Sequence, residues 1–396
     1  MSAPATLVLR PGKERSLERR HPWLYAGAIA RVDGVCGSGD TVRVVAADGR
    51  FLAWGAFSPA STIRARLWTF REAERPDEDW FFARIGAAIA RRAELASRTS
   101  AVRLIFGEAD HLPGLVVDRY DAQLVVQFMS AGVERWREVI ADALIKTTGL
   151  GDIHERSDAA SRSREGLAPR EGCLRGRPVQ APIEVHEDGV RYQVDVLAGH
   201  KTGFYIDQRE NRRILGGLAE GKRLLNCFCY TGGFTLAALR GGALEAVSVD
   251  SSAEALAQAR RQQDLNALKA PSDWVQADVF DALKRLHAQQ RQFDLIVLDP
   301  PKFAPSVQHL DRATRAYKQL NLAALRLLAP QGRLLTFSCS GAVSVDLFQK
   351  VVAAAVFDAG VDAQMLTRLA AGEDHPMLMT HPEGEYLKGL MLRRTE

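Results

Sequence analysis

The sequence has no apolar run approaching the ~18 residues that a membrane span requires. Its opening stretch, MSAPATLVLRPGKER, has no apolar segment ahead of its charges, so no signal peptide is expected either. Cysteine is scarce: five residues, at 36, 173, 227, 229 and 339, with no C-x-x-C spacing. That odd, unpaired set argues against a disulfide framework and a structural zinc, and it fits a reducing, cytoplasmic setting. The nine histidines show no H-x-x-x-H or other ligand spacing, so no metal site is expected. No G-x-G-x-x-G occurs, which removes the usual cradle for a dinucleotide pyrophosphate. Charge of one sign is not in excess: 52 basic against 48 acidic side chains leave a net +4.

What is present describes a core-forming chain. At 396 residues, 46% hydrophobic and 25% charged, it is long enough for two or three domains. The basic residues are unevenly placed. Residues 10–20, RPGKERSLERR, form one cluster; Arg156, Arg162, Arg164, Arg170, Arg175 and Arg177 form another. Both are consistent with phosphate contacts and equally with solvated faces.

Residues 1–70 read as a small β-rich module. Short alternating runs recur, and Asp48-Gly49 between Val44-Val45 and Phe51-Leu52 signals a hairpin. His21-Pro22-Trp23 follows the basic run; the indole can plug the module's core or stack on a base. A helix is predicted over 76–97, with Pro76 at its start and Trp80, Phe81, Ile85, Ala88, Ile89 and Leu95 at helical spacing. Within a central α/β region, 74–190, VRLIFGEAD, LPGLVVDRY and QLVVQFMS read as strands and 133–146 as a helix. The polar, Arg-rich stretch 157–180 reads as loop, and EVHEDGVRYQVDV as a hairpin.

From 199 onward, strands alternate with helices, predicting a mostly parallel, doubly wound sheet with helices on both faces. Its clearest unit is 223–250, RLLNCFCYTGGFTLAALRGGALEAVSVD: strand, Gly232-Gly233 turn, helix, strand, acid. Ligands in such sheets bind at the carboxyl ends of the strands. Those ends carry Gly232, Asp250, Asp278, Asp299 and Cys339. An acid 18 residues past Gly232 suits a ribose diol, and without a phosphate cradle the nucleoside cofactor that fits is S-adenosylmethionine (SAM). Asp278 can accept the adenine amino group or cap the helix that follows it. Asp299-Pro300-Pro301-Lys302-Phe303 has two prolines fixing an extended turn, suited to gripping the edge of a flat heterocycle. Cys339, in TFSCS, is either a packed thiol or a nucleophile. As a nucleophile, its thiolate would add to C6 of a pyrimidine and make C5 reactive toward a methyl donor. Cys227 and Cys229, alternate residues at a strand end, are expected on one face in sheet packing.

These motifs, NCFCYTGGF, SVDSS, DPPKF and TFSCS, with HKTGFYIDQR upstream and RRHPW near the start, resemble those of the bacterial 23S rRNA cytosine-C5 methyltransferases of the RlmI type. The resemblance covers nearly the whole chain. It implies an N-terminal, β-barrel-like PUA domain (1–73), a central α/β domain (74–190) and a Rossmann-like class I methyltransferase domain (191–396). It also implies a product, 5-methylcytosine at position 1962 of 23S rRNA, and a partner, that RNA or a precursor of the large ribosomal subunit. It places Phe228, Tyr230, Gly232, Gly233, Asp250 and Ser251, with Asp278 and Val279, at the SAM site. Tyr205, Gln208 and Arg209, from HKTGFYIDQR, would close over the cofactor. Asp299 would bind both base and cofactor, Cys339 would be the nucleophile, and Pro300, Pro301, Lys302, Phe303, Arg19 and Arg20 would meet RNA. Lys302 stands where another lineage of RNA cytosine-C5 methyltransferases has a second Cys, so no second thiol is available to expel the product. Alternatives are an amino-group methyltransferase acting on a purine, a uridine-C5 methyltransferase, and a SAM-binding RNA assembly factor without catalysis. If the 10–20 run contacts phosphate, affinity for protein-free 23S rRNA falls by orders of magnitude between roughly 50 and 200 mM salt. A flat titration would make that run a solvated face.

Overall fold

Alternation in the N-terminal module produces six strands: β1 (Thr6–Leu9), β2 (Trp23–Tyr25), β3 (Ile29–Asp33), β4 (Thr41–Val45), β5 (Phe51–Phe57) and β6 (Ile63–Thr69). They form one mixed sheet in the order β2-β6-β5-β4-β1-β3, with β1 parallel to β4. The Asp48-Gly49 turn joins β4 to β5, and Gly49 sits at φ +87°, a conformation that favours glycine. Leu7, Leu9, Val42, Val44, Ala65 and Leu67 fill the core on one side. The computed structural model describes residues 4–157, 159–179, 182–304 and 306–396.

A second sheet, in the order β11-β10-β9-β8-β7, is built from β7 (Ala101–Phe106), β8 (Leu115–Tyr120), β9 (Gln123–Phe128), β10 (Asp152–Ser157) and β11 (Arg170–Arg175). Helices Glu78–Ala90 and Arg137–Thr148 share its core, and Asp77 caps the first by accepting from Trp80 N. Trp68 of β6 is buried in this second core, so the two sheets belong to one unit: Met1–Val185, Gln193–Ile206 and Glu373–Gly384.

One expectation changes here. The stretch 157–180 is not all loop. It holds helix Ala159–Arg164 and strand β11, which pairs antiparallel with β10; positions 158 and 180 lie outside the described residues. As an edge strand with largely exposed side chains, β11 needs few apolar residues, which hid it in the sequence. The arginines around it are largely consumed internally: Arg162 pairs with Glu134, Arg170 with Glu134, Arg175 with Glu138 and Arg177 with Asp152, while Arg156 donates to Gly199 O.

The second unit comprises His186–Tyr192, Asp207–Gly372 and Glu385–Glu396. The hairpin of β12 (Ile183–Glu187) and β13 (Val190–Val194) carries the chain between the units. There follow β14 (Arg223–Cys227), β15 (Glu245–Asp250), β16 (Ser272–Gln276), β17 (Phe293–Leu298), β18 (Leu328–Ser338), β19 (Ala363–Ala370) and β20 (Lys388–Arg394). Their order is β16-β15-β14-β17-β18-β20-β19; the first five are parallel, and β20 is antiparallel to both neighbours. Alternation splits each strand between two cores. Leu225, Val247, Ile296 and Leu334 face helices Val279–Ala288, Leu310–Leu327 and Val345–Ala359. Leu224, Ala246, Leu295 and Leu335 pack with Phe234, Ala238 and Leu215 on the other face. This is the predicted doubly wound α/β arrangement.

Gly132, in helix Ala131–Arg135, abuts Ala56, and a Cβ there would lie 2.6 Å from the Trp68 ring. Gly132→Ala should therefore destabilise the first unit by about 1–3 kcal/mol through overpacking, read as a lower melting temperature than Gly151→Ala, where a Cβ meets nothing.

Candidate active site

The site is assembled from five strand ends. Beyond β14 the backbone leaves the sheet through left-handed residues: Phe228 (φ 60°), Tyr230 (φ 47°) and Gly232 (φ 83°). This breaks the alternation expected for the cysteine pair. Cys227 packs into the core with Val249 and Leu298, whereas Cys229 packs with Leu256, Ala259 and Trp274. Burial pushes both thiols up, so neither is a nucleophile at neutral pH. Gly232 has a packing reason to be glycine: a Cβ would stand 2.7 Å from the Trp274 ring. The Asp250 carboxylate holds the loop, with Oδ2 accepting from Tyr230 N (2.8 Å) and Oδ1 from Ser252 N (2.9 Å). Ser252, rather than Ser251, caps helix Ala253–Leu265, its Oγ accepting from Ala255 N. Ser251 is exposed.

Asp278 caps helix Val279–Ala288: its Oδ1 accepts from Phe280 N and Asp281 N at 2.8 and 3.3 Å. The carboxylate is exposed, whereas Val279 behind it is buried. Asp299 follows β17, and its N–H extends the pairing by donating to Cys227 O. Gln208 Nε2 donates to Asp299 Oδ2 at 3.0 Å, while Gln208 Oε1 accepts from Asn211 Nδ2, which also donates to Ala370 O. Gln208 and Asn211 are both buried. Asp299 is thus aimed by a buried amide relay, and Gln208 is occupied in aiming it. Arg209 is buried with its Nε 3.8 Å from Glu187, next to the tighter Arg212–Glu187 pair. Tyr205 belongs to the first unit, where its hydroxyl bonds His200 Nδ1 and Lys201 lies over its ring.

After Asp299, Pro300 is buried, and Pro301 and Lys302 are exposed. Phe303 turns back to pack on Tyr317 (4.9 Å) and Phe228 (6.4 Å). Cys339 follows β18, is half-buried, and has its Sγ 3.8 Å from Pro300 O. A hydroxyl cluster braces it: Ser338 Oγ donates to the Tyr317 hydroxyl (2.9 Å), which bonds Ser340 Oγ (3.1 Å), and Ser340 Oγ accepts from Ala304 N. Burial raises Tyr317's pKa, with the Ser338 and Ser340 hydrogen bonds opposing. The predicted acids and thiol therefore stand at neighbouring strand ends, with Cys339 and the proline turn in contact. Sequence reading named Gln208 for the cofactor but missed its role in aiming Asp299, and missed Asn211, the Tyr317 brace and Lys388; a lysine at the head of the apolar strand β20 was the available signal for the last. Arg19 and Arg20 are exposed in the first unit. Among the described residues, no cluster of His, Cys, Asp and Glu could hold a metal, and no helix is long and apolar enough to cross a membrane.

Comparison with known proteins decides the family. The chain is 48% identical over 391 residues to "Ribosomal RNA large subunit methyltransferase I" of Shewanella denitrificans, spanning 98% of both chains. It is 48% identical to the protein of that name from Aeromonas salmonicida, again over 98% of each. The chain belongs to the ribosomal RNA large subunit methyltransferase I family. Consistent with membership in this family, residues 163–376 match the model of S-adenosylmethionine-dependent methyltransferases, and residues 7–70 match a PUA-like domain. SAM is thus the cofactor. The family fold is shared with a provisionally assigned SAM-dependent methyltransferase from Streptococcus mutans, at 22% identity and TM-score 0.83, covering 98% of this chain and 99% of that one. A second solved chain at the same identity, score and coverage, likewise provisionally assigned as a methyltransferase, is complexed with SAH.

The burial pattern sets an order of thiol reactivity. In native protein, iodoacetamide should label exposed Cys173 and half-buried Cys339, and leave Cys227 and Cys229 unlabelled until denaturation, as read by peptide mass spectrometry.

Proposed function

We propose that the chain methylates C5 of a cytosine in 23S rRNA, with cytosine 1962 the position implied by the resemblance, through a covalent bond between Cys339 and C6. The observation that carries this reading is the 3.8 Å approach of Cys339 Sγ to the Pro300 carbonyl, which sets the thiol beside the proline turn and Asp299. The relatives' name supports ribosomal RNA of the large subunit as the substrate. We include in the proposal a division into 1–73, 74–190 and 191–396, with exposed Arg19 and Arg20 of the first segment meeting RNA.

The residues present fit SAM. Each Asp250 oxygen already accepts one backbone N–H, and a carboxylate offers about four acceptor positions, so two remain for a ribose diol. At Asp278, Oδ1 serves the cap, and the exposed carboxylate keeps Oδ2 for an adenine amino group. When bound, SAM supplies an electrophilic methyl group. Asp299, aimed by Gln208, holds the base edge. The Cys339 thiolate adds to C6, and its electron pair makes C5 nucleophilic. C5 would then be able to accept that methyl group, after which the C5 proton would pass to solvent water and its electron pair would re-form the C5–C6 double bond as the Sγ–C6 bond breaks, returning the thiolate.

The amino-methyltransferase reading fares worse. It places an aromatic ring directly after the prolines to stack on the base. Here Lys302 occupies that place, and Phe303 is committed to Tyr317 and Phe228.

The test is transfer from labelled SAM to protein-free 23S rRNA, with product nucleosides identified by mass spectrometry. Wild type should yield 5-methylcytidine, and Cys339→Ala none above background. A methylated purine made equally by both would overturn the proposal; 5-methyluridine would move it to the uridine class. Asp250→Ala should weaken SAM binding at least tenfold, about 1.4 kcal/mol, by calorimetry.

A further inference from the structure

Lys388 is a buried cation that the steps above do not use. It lies in β20, directly across from Ser338 in the antiparallel pairing with β18, and is 5% exposed. Its Nζ donates to Ser340 O at 2.9 Å, the carbonyl of the residue after Cys339. Among the described residues, no carboxylate forms an ion pair with it. Burying an ammonium without a counter-ion is costly, of the order of several kcal/mol, and such groups are retained where their charge has a task. Glu385 also acts on Lys388 but is exposed to solvent; the anion within the site at this end of β18 is the thiolate of Cys339.

We propose that Lys388 is a positioning residue whose ammonium holds Cys339 as the thiolate, so that the nucleophile is formed before RNA arrives. The proton leaves the thiol for solvent, and the ammonium keeps its own. A thiolate flanked by a cation in a partly desolvated setting is favoured over the thiol. The other charged and titratable groups at this corner are accounted for. Burial is the main influence lowering the Lys388 pKa, aided by Lys302 and opposed by Glu385 and by negative charge on Cys339. Lys302 is exposed and screened. Tyr317, raised by burial, is neutral at working pH. Asp299 heads the proline turn that Cys339 touches, and a carboxylate there would oppose a second negative charge, which a buried cation offsets. The idea rests on Cys339 being the nucleophile of the proposed reaction, but its test needs no RNA.

The experiment measures the alkylation rate of Cys339 by iodoacetamide against pH in the full-length protein, site by site by peptide mass spectrometry, with exposed Cys173 as reference. Wild-type Cys339 should titrate at least about one unit below the ordinary thiol value of roughly 8.5. Lys388→Gln keeps a donor for Ser340 O and removes the charge; its midpoint should rise by about a unit or more. Lys388→Arg keeps the charge and should stay near wild type. Three results would overturn the proposal: a wild-type midpoint at the ordinary value, Lys388→Gln matching wild type, or Lys388→Arg shifting as far as Lys388→Gln. The first needs no variant, so a folding defect cannot hide it. A sound shift with no 5-methylcytidine in the product assay would sink the functional reading and leave the electrostatic one standing.

Discussion

Strand β14 is paired on both sides by parallel neighbours, β15 and β17, and the chemistry depends on that pairing. Parallel strands end on the same side. Each strand delivers one polar group to a common edge, while its apolar residues are divided between the two helical layers. Because β14 is the first strand and sits at the point where the order reverses, its exit loop has room to leave the sheet. The left-handed run Phe228, Tyr230 and Gly232 makes that departure, and the Asp250 carboxylate ties it to the next strand.

The site has two halves with different physics. On the β15–β16 side, Asp250 is half-buried and Asp278 exposed, and both are anchored by backbone N–H groups, so their remaining acceptor positions are oriented. On the β17–β18 side, Asp299, Cys339, Tyr317, Ser340 and Lys388 are half-buried or buried and joined by side-chain hydrogen bonds. Fixed orientation is set in the first half and charge state in the second. Interactions in the second half are strengthened by its lower local dielectric.

Much of this was legible in the sequence because strand–helix alternation is a local signal. The helix Val279–Ala288, the acid-terminated strands and the hairpin at Asp48-Gly49 follow from residues close in the chain. What stayed hidden is non-local. Nothing near Gln208 marks it as the partner of Asp299, 91 positions later. Glycine at 232 marks a turn in the sequence, but its close neighbour, Trp274, lies 42 positions later and is not legible there. The edge strand β11 carries no apolar alternation because an edge needs none. The arginines at 156–177 looked like a cluster for phosphate because their acidic partners, Glu134, Glu138 and Asp152, lie elsewhere in sequence.

The first unit is discontinuous: residues 373–384 belong to it although the second unit's stretch Asp207–Gly372 directly precedes them. Asp374 in that segment is fully buried, and its Oδ2 accepts the backbone N–H of Arg103 at 3.0 Å. A buried backbone donor without an acceptor is strongly disfavoured. On the ribosome, therefore, β7 waits for an acceptor encoded 271 positions downstream. A nascent chain released early, or a message cut short before codon 374, leaves the N-terminal half unfinished, whatever its own sequence can do. Completion of the first unit thus waits until synthesis has passed residue 384.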